Sequence, residues 1–199
     1  MRIGVFGGTF DPIHLAHLIL AEEARERLGL AYVVFMPTGD PWLKREKPKT
    51  PGALRVRMAE LATASNAFFR ASGMEVRREG PTYTVDTLAA LQKDLGPQDE
   101  LFFLLGMDSL LDFPHWQEPA RVVELCTPVA FRRPGAPEQR LDAVTKEVPL
   151  LRRKLVLLDA PLLEISSTDI RRRVAEGRSI RYLVPEAVEG FIREKGLYV

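Results

Sequence analysis

Apolar runs alternate with amphipathic stretches along most of the chain. Short apolar runs that are typical of buried strands occur at Arg2–Phe6, Tyr32–Met36, Phe68–Ser72, Met74–Arg77, Leu101–Leu105, Val129–Phe131 and Leu155–Leu158. Between them, helical spacing or helix-start signals predict helices at His14–Leu28, Thr50–Ala64, Val85–Leu95, Pro119–Leu125, Glu138–Lys146, Ser167–Glu176 and Pro185–Glu194. Such alternation favours a parallel sheet with helices on both faces.

We therefore predict an α/β protein with a doubly wound, Rossmann-like parallel sheet that carries helices on both faces. The chain is interpreted as one domain, 1–199, in which residues 165–199 form a small C-terminal helical part. The polar, proline-containing segment 37–49 predicts a loop, and the pattern is weakest over 133–149. The first helix is expected to stop at Gly29 and to bury four larger apolar side chains, Leu15, Leu18, Ile19 and Leu28.

The segment between the first strand and the first helix is the most informative about function. It reads Gly7-Gly8-Thr9-Phe10-Asp11-Pro12-Ile13-His14-Leu15-Ala16-His17. Glycines let backbone N–H groups approach a ligand closely, and a helix N-terminus adds unpaired N–H groups and partial positive charge. Because His14 and His17 lie three residues apart, their side chains share one helix face. These features predict an anion site, with phosphate as the expected ligand.

Other interpretations of this segment are an ordinary turn with two surface histidines and a zinc site. An ordinary turn is disfavoured because two of the three histidines of the chain fall at this one helix start. Zinc is disfavoured because no nearby Cys or His supplies the further ligands it needs. The segment also lacks the G-x-G-x-x-G turn of redox dinucleotide folds and the Lys-Ser/Thr ending of a P-loop.

A second polar segment, Ser166-Ser167-Thr168-Asp169-Ile170-Arg171, opens the helix predicted at Ser167–Glu176. One interpretation is a helix N-cap with a favourable acidic neighbour, worth about 0.5–2 kcal/mol of stability. That interpretation does not account for three hydroxyl residues followed by three arginines. Arg171 lies four residues after Ser167, so its side chain lies over the helix start. We predict that Arg171 and the serine hydroxyls bind a triphosphate, whereas Arg172 and Arg173 are solvated or paired on the surface.

Four polar segments follow predicted strands or lie close to the end of one. They are the segment that starts at Gly7, the loop after Met36, Gly106-Met107-Asp108, and the serines near residue 166. Ligands on open α/β sheets bind beyond the carboxyl ends of the strands. We therefore expect these segments to meet at one edge of the sheet.

Composition narrows the class of protein. A hydrophobic fraction of 46% supports a core, and a formal charge of +1 disfavours a general nucleic-acid or membrane-surface binder. The single cysteine, Cys126, excludes a disulfide framework and fits a reducing compartment. No apolar run approaches the ~20 residues of a membrane helix, and no signal-peptide pattern is present. A cytoplasmic location is expected.

The Gly7–His17 segment resembles the nucleotidylyltransferase superfamily, whose second signature, Ser/Thr-x-x-x-x-Arg/Lys, is matched from Ser166 to Arg171. Further segments resemble the bacterial nicotinate-nucleotide adenylyltransferase family. They are Pro37-Thr38-Gly39 with Lys44, Glu79–Leu88, Leu105–Leu110, Pro114–Trp116, Arg132–Gly135 and Ile180–Pro185. The resemblance covers nearly the whole chain.

This resemblance implies an enzyme of NAD biosynthesis that joins nicotinate mononucleotide to the AMP part of ATP, with Mg²⁺ accompanying ATP and pyrophosphate released. It implies catalytic roles for His14, His17 and Arg171. It implies an ATP site formed by Gly7, Gly8, Thr9, Phe10, His14, His17, Gly106, Asp108, Ile165, Ser166, Ser167 and Arg171. It implies an acceptor site formed by Thr38, Lys44, Thr82, Tyr83, Thr84, Trp116 and Arg133. No metal site built from protein side chains is predicted.

The chain departs from the family pattern in the loop after the second strand. The family usually shows Pro-Pro-His-Lys there, and this chain has Pro41-Trp42-Leu43-Lys44. Lys44 stands at the matching place, but Leu43 replaces the histidine, so no polar contact is carried over to it.

The expected reaction is an in-line attack of the mononucleotide phosphate on the α-phosphorus of ATP. No Ser, Cys or Lys lies beside a base as an activated nucleophile, and a phosphate ionised at pH 7 needs no deprotonation. Two alternatives stay open, a pantetheine-phosphate adenylyltransferase and a non-catalytic nucleotide-binding protein. The sequence leaves open the preference for nicotinate over nicotinamide and the oligomeric state, a homo-oligomer included.

Overall fold

The structure is a computed structural model that describes residues 1–41, 50–132, 138–161 and 163–199. The strands in these ranges are β1 (Arg2–Gly8), β2 (Tyr32–Pro37), β3 (Asp40–Pro41), β4 (Phe69–Ala71), β5 (Pro81–Thr82), β6 (Glu100–Gly106), β7 (Thr127–Phe131) and β8 (Val156–Leu158). The helices are α1 (Leu15–Leu28), α2 (Gly52–Thr63), α3 (Thr84–Lys93), α4 (Met107–Leu111), α5 (Pro119–Leu125), α6 (Glu138–Glu147), α7 (Leu151–Lys154), α8 (Ser167–Ala175) and α9 (Glu186–Glu194), and a 3₁₀ turn spans Phe113–His115.

Six of these strands form one parallel sheet in the order β4-β2-β1-β6-β7-β8. The order reverses direction at β1, which pairs with β2 on one side and with β6 on the other. Strands β3 and β5 pair with each other in a separate two-stranded sheet. The predicted doubly wound α/β fold is confirmed, and its topological switch point lies beside the end of β1.

The sheet separates two hydrophobic clusters because neighbouring strand residues point to opposite faces. Phe6 belongs to one cluster, which helices α1, α2, α8 and α9 cover with residues such as Ala21, Met58, Ile170 and Val188. Val5 belongs to the other, which α3, α4 and α5 cover with Leu88, Leu110 and Val122. Helices therefore lie on both faces. Among the described residues, none of the helices combines the length and apolar character needed to span a bilayer.

The prediction that Leu15, Leu18, Ile19 and Leu28 lie on the buried side of α1 holds in part. Leu18 and Leu28 pack against the core and all four are partly buried, but the fully buried residues of α1 are Ala16, Ala21 and Ala24. Small side chains let the helix backbone lie close to the sheet. At such a short distance only a methyl group fits between the helix and the sheet. The predicted stop is confirmed, since Gly29 has a left-handed φ of 61°.

Three predicted elements differ in the structure. Met74–Arg77 is not a strand but a series of turns, in which the N–H of Arg77 donates to the carbonyl of Gly73 at 3.0 Å. The loop predicted over 37–49 contains the short strand β3. Helix α2 starts at Gly52 with Pro51 in the N-cap position, one residue later than predicted. Local turn hydrogen bonds form the Met74–Arg77 turns and pairing with β5 forms strand β3, and the spacing of apolar residues records neither.

Candidate active site

A cavity of about 460 Å³ opens beyond the carboxyl ends of β1, β6 and β7. Its lining includes all the predicted ATP-binding residues except Arg171, namely Gly7, Gly8, Thr9, Phe10, His14, His17, Gly106, Asp108, Ile165, Ser166 and Ser167. These residues come from three separate stretches of the sequence. They meet because the carboxyl ends of parallel strands share one edge of the sheet.

The turn after β1 is held in an uncommon conformation. Phe10 has a left-handed φ of 50° and is almost completely buried. A bulky residue in this region persists only when its surroundings hold it there. The buried ring of Phe10 meets that of Phe6 edge-on with 5.8 Å between centroids. The turn is therefore anchored in the core rather than loosely exposed.

His14 and His17 form a stacked pair at the cavity wall, with ring centroids 3.7 Å apart and an interplanar angle of 21°. His14 takes the N-cap position of α1, and its backbone N–H donates to Nδ1 of His17 at 3.2 Å. Since Nδ1 of His17 accepts this bond, the proton of this imidazole lies on Nε2. The helix start thus selects the tautomer of His17.

Burial makes His14 an uncharged hydrogen-bonding group near neutral pH. Its side chain is buried, and this desolvation lowers the pKa of His14 to about 4 from an ordinary value of 6.5. The capping box of α1 places the side chain of His14 next to the backbone N–H of His17, and the imidazole lines the cavity.

The glycines of the turn are required by packing, and the predicted approach of a ligand to their backbone stays a prediction. A Cβ on Gly7 would lie 2.8 Å from the ring of Phe103, and a Cβ on Gly8 would lie 2.9 Å from the ring of Phe10. Both directions lead into aromatic side chains. By contrast, a Cβ on Gly106 would have nothing within 4 Å among the described atoms.

The serine segment combines a cap with contacts to the turn. Ser166 is the N-cap of α8, and its Oγ accepts the N–H of Asp169 at 3.1 Å. The hydroxyl of Ser167 donates to the carbonyl of Pro12 at 2.9 Å. Ser166 therefore caps the helix, and Ser167 attaches the helix to the turn after β1.

Arg171 does not line the cavity. Its Nη1 donates to the carbonyl of Asp11 at 2.7 Å, and its buried Nε has no partner within the described ranges. Its role as a triphosphate ligand stays a prediction. Arg172 and Arg173 both pair with Asp169, as predicted for surface arginines.

Thr38, predicted for the acceptor site, lies directly beside the cavity. Its backbone N–H donates to the carbonyl of Gly8 at 2.9 Å, and its buried Oγ1 has no partner among the described residues. The hydroxyl of Thr82 donates to the carbonyl of Asp40 at 3.3 Å, across the paired strands β3 and β5. Tyr83 is the N-cap of α3 through its backbone, and Thr84 is the first residue of that helix.

Trp116 lies one aromatic ring away from the cavity wall. It is half-buried and packs against Phe113 at 4.9 Å and Phe103 at 5.9 Å between centroids. Phe103 is the ring that faces Gly7. The predicted residues Lys44 and Arg133, and also Trp42 and Leu43, lie outside the described residues.

Sequence reasoning missed two features of the site. Arg132 lines the cavity directly after β7, and a cation at the end of a predicted strand was the signal that could have found it.

Glu75 is buried behind the acceptor-side loops, where it accepts the hydroxyl of Thr87 at 2.8 Å and also binds Gly39 and Thr82. Its burial raises the pKa of the Glu75 carboxyl. No sequence signal marked Glu75 as part of the site, because the residue lay in the predicted strand Met74–Arg77.

Comparison with known proteins identifies the class that this fold and cavity define. Residues 5–173 match the family model described as cytidylyltransferase-like. A protein of Dehalococcoides mccartyi that carries the name "probable nicotinate-nucleotide adenylyltransferase" is 42% identical over 198 residues, 100% of this chain and 97% of that protein. A protein of Thermomicrobium roseum with the same name is 49% identical over 197 residues, which are 99% of this chain and 91% of that protein. The chain belongs to the nicotinate-nucleotide adenylyltransferase family.

A solved structure supports the fold independently. The nicotinic acid mononucleotide adenylyltransferase of Plasmodium falciparum complexed with APC has a TM-score of 0.75 to this chain at 21% identity. The match covers 99% of this chain and 96% of that one. At this identity the likeness concerns the fold.

Proposed function

We propose that the protein transfers the adenylyl group of ATP to nicotinate mononucleotide, forming nicotinate adenine dinucleotide and pyrophosphate in NAD biosynthesis. The observation that carries the proposal is the position of Gly7 and Gly8. On one side they line the cavity that contains His14 and His17. On the other they contact the predicted acceptor-side elements, Gly8 through Thr38 and Gly7 through Phe103 next to Trp116. Two nucleotides bound on either side would meet at the end of β1.

ATP would occupy the cavity with its phosphates against the two imidazoles. His14 is uncharged near neutral pH and donates with one N–H, and His17 donates from Nε2 because its Nδ1 is already an acceptor. Arg132 adds a positive charge to the same wall. Donors held in place before the reaction stabilise the charge that develops on phosphate oxygens without reorganisation.

The chemistry is then a single displacement. An oxygen of the mononucleotide phosphate forms a bond to the α-phosphorus of ATP, and the bond from that phosphorus to the bridging oxygen of pyrophosphate breaks. Such transfers need positioning and charge stabilisation rather than a protein nucleophile. The stacked histidines, fixed by the α1 start and by Phe10, meet that requirement.

The nicotinate part would bind at the start of α3. Thr84 begins this ten-residue helix, and N–H groups at a helix N-terminus suit a carboxylate. Trp116 would supply an aromatic face for the pyridine ring. Glu75, by binding Gly39 and Thr82, holds the two loops on either side of this position.

Mg²⁺ would enter with ATP. The described residues contain no group of three or more His, Cys, Asp or Glu side chains that could hold a metal ion. Asp108 is the acidic side chain in the described cavity lining, and Mg²⁺ commonly binds through one or two carboxylates together with substrate phosphates. The donor set therefore fits an ion that arrives on the triphosphate, where it would neutralise phosphate charge.

We further propose a cytoplasmic site of action, to which the reduced, buried thiol of Cys126 is suited.

The decisive experiment is a pyrophosphate-release assay with ATP and one acceptor at a time. The acceptors are nicotinate mononucleotide, nicotinamide mononucleotide and phosphopantetheine. We expect pyrophosphate and nicotinate adenine dinucleotide in equal amounts with the first acceptor and much slower release with the other two. Release with phosphopantetheine alone would establish the sister activity, and nucleotide binding without any release would establish a non-catalytic protein.

A further inference from the structure

The penultimate residue of the chain reaches back to the turn after β1. The hydroxyl of Tyr198 donates to Oδ1 of Asp11 at 2.6 Å, across 187 residues of sequence. Asp11 is buried and lies between Phe10 and the helix that begins with His14 as its cap. A contact of such sequence separation closes a long loop at an entropic cost, so the rest of the fold must favour it.

Asp11 also connects the turn to the start of α2. Its Oδ2 accepts the backbone N–H of Thr50 at 3.3 Å. The buried guanidinium of Arg55 donates to the carbonyl of Thr50 at 3.1 Å and to that of Thr9 at 2.8 Å. One carboxyl group thus ties together the turn, helix α2 and the chain terminus.

Other residues of the C-terminal part bind the same turn. Arg171 donates to the carbonyl of Asp11 and Ser167 to that of Pro12. The N–H of Leu15, the first residue of α1, donates to the carbonyl of Leu183 at 2.9 Å. The bonds that involve Tyr198, Arg171, Ser167 and Leu183 therefore hold the chain on both sides of His14, at Asp11 and Pro12 before it and at Leu15 after it.

Tyr198 is suited to a permanent donor role. Partial burial and the bond to Asp11 raise the pKa of its phenol, so the hydroxyl keeps its proton. Its backbone has a left-handed φ of 66°, a conformation that a tyrosine keeps only when its contacts hold it. Neither Tyr198 nor Asp11 belongs to the described lining of the cavity, and Tyr198 packs against the hydrophobic cluster that contains Phe10.

We propose that Tyr198 is a positioning residue, which acts through Asp11 to hold the turn and its two histidines in the conformation that binds the triphosphate. The proposal rests on the proposed function only in taking ATP as the ligand. It predicts that the phenol hydroxyl contributes to ATP affinity without contact to ATP. Its loss should affect ATP more than the mononucleotide, because the bond is to the turn that lines the cavity.

The test is a double-mutant cycle of Tyr198→Phe and Asp11→Ala, read by calorimetric titration with ATP, because alanine removes the oxygen that accepts the tyrosine hydroxyl. Tyr198→Phe should weaken ATP binding about tenfold, the usual effect of one hydrogen bond of this kind. The double variant should bind ATP about as weakly as the weaker single variant, since the two residues act through one contact. Tyr182→Phe is the matched control, because Tyr182 also has a left-handed φ but is 78% exposed.

Hydrogen exchange of the segment 9–15 provides a second readout. It should become faster in Tyr198→Phe and stay unchanged in Tyr182→Phe at a temperature where both are folded. Unchanged ATP affinity with unchanged exchange would overturn the proposal, and so would additive effects in the cycle. If the wild-type protein binds ATP but releases no pyrophosphate, the proposed function fails while this inference is still decided by the titration. If Tyr198→Phe is unfolded, the titration of Asp11→Ala and the hydrogen exchange of the wild-type segment 9–15 decide the proposal. Unchanged ATP affinity in Asp11→Ala, or faster exchange of this segment than of α1 in the wild type, would overturn it.

Discussion

The ring of Phe10 stands edge-on to the imidazole of His17, with 4.9 Å between centroids and 85° between planes. This contact makes the orientation of His17 depend on a residue with a left-handed backbone. A Cβ on Gly8 would press on the same ring. The cavity wall therefore consists of two stacked imidazoles and of an aromatic ring beneath them that orients His17.

Replacing His17 with alanine should strongly reduce turnover. If His17 donates to phosphate oxygens in the transition state, kcat should fall on the order of a hundredfold or more. The measurement is the initial rate of pyrophosphate release at saturating substrates. His115→Ala is the matched control, since His115 is exposed at the end of the 3₁₀ turn and should leave the rate unchanged. A folded His17→Ala protein with near-normal turnover would contradict the assigned role.

The buried imidazole of His14 should make stability depend on pH in a defined window. Its folded pKa of about 4 lies below the ordinary 6.5, so between these values the unfolded chain binds a proton that the folded protein does not. The free energy of unfolding should fall as pH decreases from 6.5 to 4, by about 2 kcal/mol at pH 5. Urea unfolding of wild type and His14→Gln at pH 7 and 5 measures this.

The His14→Gln variant should lack this part of the pH dependence, and His115→Gln should retain it. An equal loss of stability in wild type and His14→Gln between pH 7 and 5 would show that His14 titrates normally.

Two alanine substitutions at glycines should separate packing from access to the cavity. Gly8→Ala pushes a methyl group against the ring of Phe10 and should cost about 1–3 kcal/mol of stability, with reduced activity because His17 shifts with that ring. Gly106→Ala meets nothing within 4 Å among the described atoms and should change stability by less than about 0.5 kcal/mol, yet weaken ATP binding. Thermal unfolding and ATP titration of both variants distinguish the effects. Equal stability of the two variants would refute the packing role of Gly8.

Neighbouring arginines allow a test of the serine-arginine segment. Arg171→Ala removes the bond to the carbonyl of Asp11 and, by the prediction from sequence, a ligand of the triphosphate. The KM for ATP should rise by about tenfold or more, as expected when a charge-assisted hydrogen bond is lost. Arg172→Ala should change it little, because the Arg172 side chain is 63% exposed and pairs with Asp169 on the surface. Similar KM values for the two variants would speak against a special role of Arg171.

Much of the fold was predictable because apolar periodicity reports burial directly. Helix α5 was predicted with the bounds Pro119–Leu125 that the structure has, and most strands were correct to within two residues. Errors occurred where local pattern and tertiary contacts disagree. The alternation over Met74–Arg77 indicated a strand, but local turn bonds and the burial of Glu75 prevail there.

The sequence alone predicted which residues would lie together and at which edge of the sheet, since strand order along the chain and the spacing of His14 and His17 are local properties. Only the tertiary structure decided how that chemistry is held. The reason for Gly7 and Gly8, the tautomer of His17, the low pKa of His14 and the bond from Tyr198 to Asp11 depend on atoms far apart in sequence. Burial and hydrogen bonding arise from contacts between elements, which no local pattern of residues records.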